Sequence, residues 1–192
     1  MFEDFFLKNY AEIKQFTSPS RSLLELGSRD DRGVLSSQIL EFSAMTILDR
    51  DVNRINLTKE NIKENDKINF IVRDIFDKNI ANIGKFDIVM TTALVHHTPR
   101  EKMSGLFEIF MELSNKRIIV SGPNRRKQTT LYGDHRYHLD REDLKKITES
   151  MGLTETAYLE HDDLAPPVGF FGEAAAKEMA IDGVNIIVYD KG

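Results

Sequence analysis

Three short apolar runs of this chain each lead into an acidic residue. Ser22-Leu23-Leu24-Glu25-Leu26 runs into Gly27, Met45-Thr46-Ile47-Leu48 into Asp49, and Ile68-Asn69-Phe70-Ile71-Val72 through Arg73 to Asp74. If the runs are buried parallel strands, all three acids lie at or near the carboxyl edge of one sheet, where open α/β sheets bind their ligands. Singly, each acid has a plainer reading as a helix cap or solvated strand end, and a lone Gly27 reads as a turn. Together, one β-α unit apart, Glu25, Asp49 and Asp74 point to a grip on a nucleoside. Asp87 looks similar but opens its run, Phe86-Asp87-Ile88-Val89-Met90, so it belongs to the opposite edge and to a structural hydrogen bond.

Other residues could carry chemistry on the same edge. His96 and His97 follow the fourth apolar run, and imidazole is the side chain best suited to general-base work near neutral pH. The bland alternative is that one of the pair packs against the next helix. His135-Arg136-Tyr137-His138 offers two more histidines in a loop without a carboxylate pattern, which suits a substrate-facing loop better than a metal site. Arg125-Arg126-Lys127 reads equally as a receptor for a substrate phosphate or carboxylate and as a solvated charge run. Glu160-His161-Asp162-Asp163 reads as surface.

The elements that must position these residues alternate almost end to end. A helix over 2–16 carries Phe2, Phe5, Phe6 and Tyr10, a stripe read first as packing. Strand 22–26 is followed by a helix of about 32–42 with Leu35, Ile39 and Phe42 on its buried stripe. Strands 44–48 and 67–73 bracket a helix near 52–64. After strand 86–90, Thr98-Pro99-Arg100-Glu101 reads as a capping box with Pro at the first helical position. The stripe Met103, Leu106, Phe107, Phe110 and Leu113 follows. Strand 117–120 ends in Ser121-Gly122-Pro123-Asn124. Asp140 caps a helix with Leu144, Ile147 and Met151 buried, stopped by Gly152. Two closing strands lie near 154–160 and 184–189, around a Pro/Gly/Ala-rich insertion. The pattern predicts an α/β fold: a mostly parallel sheet with helices on both faces.

Bulk properties bound the rest. At 192 residues, 41% hydrophobic and 30% charged, the chain suits a single domain over 1–192, with 1–20 as a helical cap segment and 160–182 as an insertion. No apolar stretch reaches the length of a membrane span, and Met1-Phe2-Glu3-Asp4 lacks the basic start of a secretory signal. The absence of cysteine removes disulfides, thiolate metal sites and thiol nucleophiles, and a cytoplasmic location is expected. A net charge of -5 argues against a nucleic-acid partner.

The chain resembles the class I S-adenosylmethionine-dependent methyltransferases over roughly residues 20–160 and the closing strand. The matching stretches are Leu23–Gly27, Ile47–Asp49, Phe70–Ile75 and Phe86–His97, the last being the most specific because an apolar residue and a His pair follow strand four. The resemblance implies a Rossmann-like seven-stranded sheet in the order 3-2-1-4-5-7-6 with the last strand antiparallel. It also implies S-adenosyl-L-methionine as cofactor and S-adenosyl-L-homocysteine as product. Asp49 would hold the ribose hydroxyls, with Arg50 beside it, and Asp74 the adenine amino group, with the Ile75 backbone beside the ring. Gly27 would let the backbone approach the methionine part, with Ser28 and Arg29 in the same loop. Glu25 would favour the cationic amino and sulfonium groups, and Thr91 would border the methionine moiety. His96 and His97 are the catalytic candidates. The family's acid-x-Gly-x-Gly-x-Gly loop stands here as Glu25-Leu26-Gly27-Ser28-Arg29-Asp30-Asp31, keeping only the first glycine.

The expected reaction is methyl transfer to an oxygen or nitrogen nucleophile of a small molecule. The Asp/Asn-Pro-Pro-Tyr type motif of amino-methylating DNA and protein enzymes is replaced by Thr91-Thr92-Ala93-Leu94, and cytosine C5 methylation lacks its cysteine. Two rival readings stand. Asp49 would equally hold the ribose of a nicotinamide cofactor in an NAD(P)-dependent oxidoreductase, although the Tyr-x-x-x-Lys pair of that chemistry occurs only as Tyr10 and Lys14, ahead of the first strand. The shortened glycine loop also suits a methyltransferase-like scaffold that binds without catalysis.

Overall fold

The computed structural model describes residues 2–17, 20–27, 32–62, 65–92, 94–124, 140–161 and 183–192, with the side chains of 2–6, 20–21, 32, 123–124, 161 and 183–184 not included. The elements are α1 (Phe2–Thr17), β1 (Ser20–Leu26), α2 (Arg32–Ile39), β2 (Phe42–Asp49), α3 (Val52–Asn61), β3 (Ile68–Val72) and β4 (Phe86–Thr91), followed by α4 (Leu94–His97), α5 (Met103–Leu113), β5 (Ser114–Asn124), α6 (Arg141–Ser150), β6 (Leu153–His161) and β7 (Gly183–Lys191). They form one seven-stranded sheet in the order β3-β2-β1-β4-β5-β7-β6. Strands β1 to β5 run parallel, and β7 is antiparallel to both of its neighbours. The expected order and the reversed last strand are both present.

Each central strand is apolar on both sides because helices cover both faces. Alternate residues separate into two cores. Leu24, Leu26, Leu48, Val89, Ile118, Val120 and Tyr189 pack against Met103, Leu106, Phe107 and Phe110 of α5 and Leu144 of α6. Leu23, Met45, Ile47, Ile88, Met90, Ile119 and Val188 pack against Tyr10 and Ile13 of α1, Leu35 of α2 and Ile55 of α3. All five expected stripe residues of α5 are fully buried, and Phe107 meets Phe110 and Tyr189 edge-on.

Three local expectations are corrected. Helix α2 stops at Ile39 rather than near 42, because Phe42 pairs with Ser20 and opens β2. Sheet pairing overrides the helical stripe there. Helix α3 ends at Asn61 rather than near 64, where the backbone of Ile62 turns extended. The capping box before α5 does not form. Thr98 donates its hydroxyl back to the Leu94 carbonyl, a 3-10 turn occupies Arg100–Lys102, and α5 begins at Met103. Thr98 is claimed by the turn before it. The Asp140 cap is present, its carboxylate accepting from the Asp143 amide at 3.0 Å, and Gly152 leaves α6 at φ +75°.

The edge away from the carboxyl ends carries the structural ion pairs. Arg117 grips Asp190 through two hydrogen bonds of 2.6 and 2.9 Å and donates a third, at 2.9 Å, to the Phe16 carbonyl at the end of α1. This contact raises the Arg117 guanidinium and holds the Asp190 carboxyl below its ordinary value. Asp87 behaves as expected: its amide donates to the Ser22 hydroxyl oxygen at 2.9 Å, and Lys116 stands 3.1 Å from its carboxylate.

Candidate cofactor-binding site

The register of β1, β2 and β3 sets Leu26 beside Leu48 and Asp49 beside Val72. The three strand ends therefore finish side by side, and β1 lies between β2 and β4, where successive connections diverge to opposite sides. Such a switch point leaves a crevice at the carboxyl ends of the strands. A cavity of about 350 Å³ opens there, lined among others by Gly27, Asp49, Arg50, Asp74, Ile75, Leu94 and His97. That volume suits a small-molecule site, roughly 300–1,000 Å³.

Asp49 is the buried charge of the site, only 4% exposed. Its Oδ1 accepts the Asp51 amide at 2.9 Å, whereas Oδ2 has no hydrogen-bond partner among the described residues and Arg54 Nη1 stands 4.0 Å from it. A buried carboxylate oxygen without a donor is costly, and this one belongs to a residue of the cavity wall. Asp51 begins α3 and caps it through the Asn53 amide, which fixes the turn that presents Asp49.

Gly27 leaves β1 at φ +74°, and its amide donates to the Leu48 carbonyl at 2.9 Å. A left-handed glycine with no side chain keeps this wall low; a Cβ here would come to 3.6 Å from that of Leu94. Asp74 is exposed, and one of its oxygens accepts the Phe76 amide at 2.9 Å. Ile75 is buried behind it. Phe76 and Lys102 close this end, with the ammonium 5.6 Å from the ring centroid, a cation–π distance.

The sequence-derived candidates divide as follows. Gly27, Asp49, Arg50, Asp74, Ile75 and His97 share the cavity wall. Glu25, Thr91 and His96 do not line it. Glu25 is fully buried, with the Tyr10 hydroxyl donating to Oε1 at 2.6 Å and the Ser36 hydroxyl to Oε2. The Thr91 hydroxyl accepts the Leu94 amide at 3.0 Å, so it shapes the start of α4. His96 is 4% exposed and its ring lies 4.2 Å from that of His97, centroid to centroid. Ser28 and Arg29 lie outside the described residues, as do Arg125-Arg126-Lys127, His135, His138, Asp162 and Asp163. Sequence reasoning passed over Arg54, Arg73, Phe76, Leu94, Thr98, Pro99 and Lys102, which also line the cavity. Arg73 and Phe76 lie within two residues of Asp74 and Leu94 within two of the His pair, so adjacency to the motifs was the available signal; Arg54 and Lys102 gave none. Among the described residues, no helix is long and apolar enough to cross a membrane.

No protein-family model and no curated protein matches the sequence. Solved structures match the fold. The N-methyltransferase NodS from Bradyrhizobium japonicum is similar at a TM-score of 0.72 and 13% identity, with 99% of this chain and 96% of that chain covered. Magnesium protoporphyrin IX methyltransferase from Synechocystis, with S-adenosylhomocysteine bound, gives a TM-score of 0.71 at 13% identity over 100% of this chain and 85% of that chain. A cyclopropane synthase from Mycobacterium tuberculosis gives 0.69 at 9% identity over 96% and 82%. The chain has the class I S-adenosylmethionine-dependent methyltransferase fold.

Proposed function

We propose that this chain is an S-adenosylmethionine-dependent methyltransferase that passes a methyl group to an oxygen or nitrogen nucleophile of a small molecule. The observation that carries the reading is Asp49: a 4% exposed carboxylate on the cavity wall at the end of β2, with one oxygen, Oδ2, lacking a hydrogen bond. The residues present fit the cofactor. Asp49 would accept the ribose hydroxyls, Asp74 the adenine amino group through the oxygen not used by the Phe76 amide, and Gly27 would leave room for the methionine part. Solved structures of the same fold, NodS and magnesium protoporphyrin IX methyltransferase, hold S-adenosylhomocysteine, which supports the choice of nucleoside.

The bound cofactor supplies a methyl group already activated on a sulfonium sulfur. The protein's own work is then to orient the acceptor and exclude water from it. His97, on the cavity wall, would take the proton from a hydroxyl acceptor at a ring nitrogen. His96, packed against it and nearly buried, would hold that ring in place.

Calorimetry with S-adenosylmethionine, S-adenosylhomocysteine, NAD and NADP tests this reading. Binding of the first two without the nicotinamide pair is expected. Tight NAD or NADP binding with no response to S-adenosylhomocysteine would overturn it in favour of an oxidoreductase.

A further inference from the structure

Helix α1 is held by buried polar contacts, not only by its apolar side. Asn9 and Tyr10 are 2% and 0% exposed. The Tyr10 hydroxyl donates to Glu25 Oε1 at 2.6 Å and lies 3.2 Å from Thr92 Oγ1. Asn9 Oδ1 accepts the Ser121 hydroxyl at 3.1 Å. One turn of α1 thus reaches the carboxyl ends of β1, β4 and β5 at once. The same Glu25 carboxylate receives the Ser36 hydroxyl from α2, so one buried group ties both helices to the end of β1. Two residues on, Gly27 forms part of the cavity wall.

We propose that Tyr10 is a positioning residue: by fixing Glu25 it couples the docking of α1 to occupation of the cavity. The inference rests on the nucleoside reading above. A hydroxyl donating to a buried carboxylate is a strong, charge-assisted and directional bond, whereas Phe would fill the same space without fixing the carboxylate. Between Glu25 and Gly27 there is only Leu26, fully buried, so a displaced Glu25 moves the strand end against which a ligand must fit. By reciprocity, a ligand that requires the strand end in place stabilises α1 as much as α1 assists the ligand. Among the described residues, none of α1 lines the cavity, so the Tyr10–Glu25 contact is the route by which occupation of the cavity is felt in α1.

The test is hydrogen exchange of the α1 amides with and without S-adenosylhomocysteine, in the full chain and in Tyr10→Phe, with calorimetry on both. In the unsubstituted chain the ligand slows α1 exchange. In Tyr10→Phe the Kd rises about five- to tenfold and the ligand no longer protects α1, while the circular dichroism stays that of the folded protein. Thr92→Val, which keeps the Tyr10–Glu25 bond, retains the protection and guards against a general packing effect. If S-adenosylhomocysteine binds but α1 exchange does not respond, or if Tyr10→Phe keeps both affinity and protection, the coupling is refuted and the nucleoside reading stands. If it binds neither protein, the reading and the coupling fall together.

Discussion

The His96 and His97 rings stand 4.2 Å apart, tilted by 45°, yet only His97 reaches the cavity. Adjacent residues in one helical turn face different directions, so α4 sorts two identical side chains into a wall residue and a buried support. Histidine-directed acylation read by mass spectrometry should therefore modify His97, and S-adenosylhomocysteine should slow that reaction. His96, 4% exposed, should react far more slowly with or without ligand. Comparable labelling of both would remove the distinction.

Gly27 should resist substitution through its backbone. Its φ of +74° is costly for any residue with a Cβ, while the nearest atom to that Cβ would lie at an ordinary 3.6 Å. Gly27→Ala should therefore lose about 1–2 kcal/mol of stability from the left-handed conformation, with weaker S-adenosylhomocysteine binding as the wall shifts. An unchanged denaturation midpoint would contradict this.

The Arg117–Asp190 pair predicts a pH dependence. The hydrogen bond from Arg117 holds the Asp190 carboxyl below its usual 3.8. A depressed carboxyl contributes stability that is present above its unfolded value and lost as pH falls through the lower folded value. Asp190→Asn should lower Tm at neutral pH, and the deficit should shrink below about pH 4. A deficit that grows on acidification would show the sign to be wrong.

Phe107 is fully buried between Phe110 and Tyr189, so Phe107→Ala should cost about 3–5 kcal/mol, as large-to-small changes in packed cores do. Urea denaturation measures this directly, and a loss below 1 kcal/mol would mean the α5 face collapses around the gap.

Most of the fold was legible because strands covered on both faces must be apolar throughout, and runs such as 45–48 and 118–120 state this in the sequence. The turn chemistry was less so. Thr98-Pro99-Arg100-Glu101 has the composition of a capping box, but a Thr hydroxyl serves a preceding carbonyl as readily as a following amide, and Leu94 won. Phe42 fitted a helical stripe and a strand start equally, and pairing with Ser20 decided. That Asp49 and Asp74 come to one cavity wall was legible because each stands at or just beyond the end of an apolar run. The partners of Glu25 were not: Tyr10 and Ser36 lie 15 and 11 residues away, and nothing in an aromatic helical stripe distinguishes a packing tyrosine from one whose hydroxyl reaches a buried carboxylate.

The central claim is that the cavity at the end of β2 holds a nucleoside through Asp49. Calorimetric titration of S-adenosylhomocysteine into the unsubstituted chain and into Asp49→Ala tests it most directly. The expected result is measurable binding to the first and a loss of about 1–3 kcal/mol in the second, roughly 5- to 150-fold in Kd, with the fold intact. Equal affinity in the two proteins would contradict the claim and place the nucleoside elsewhere.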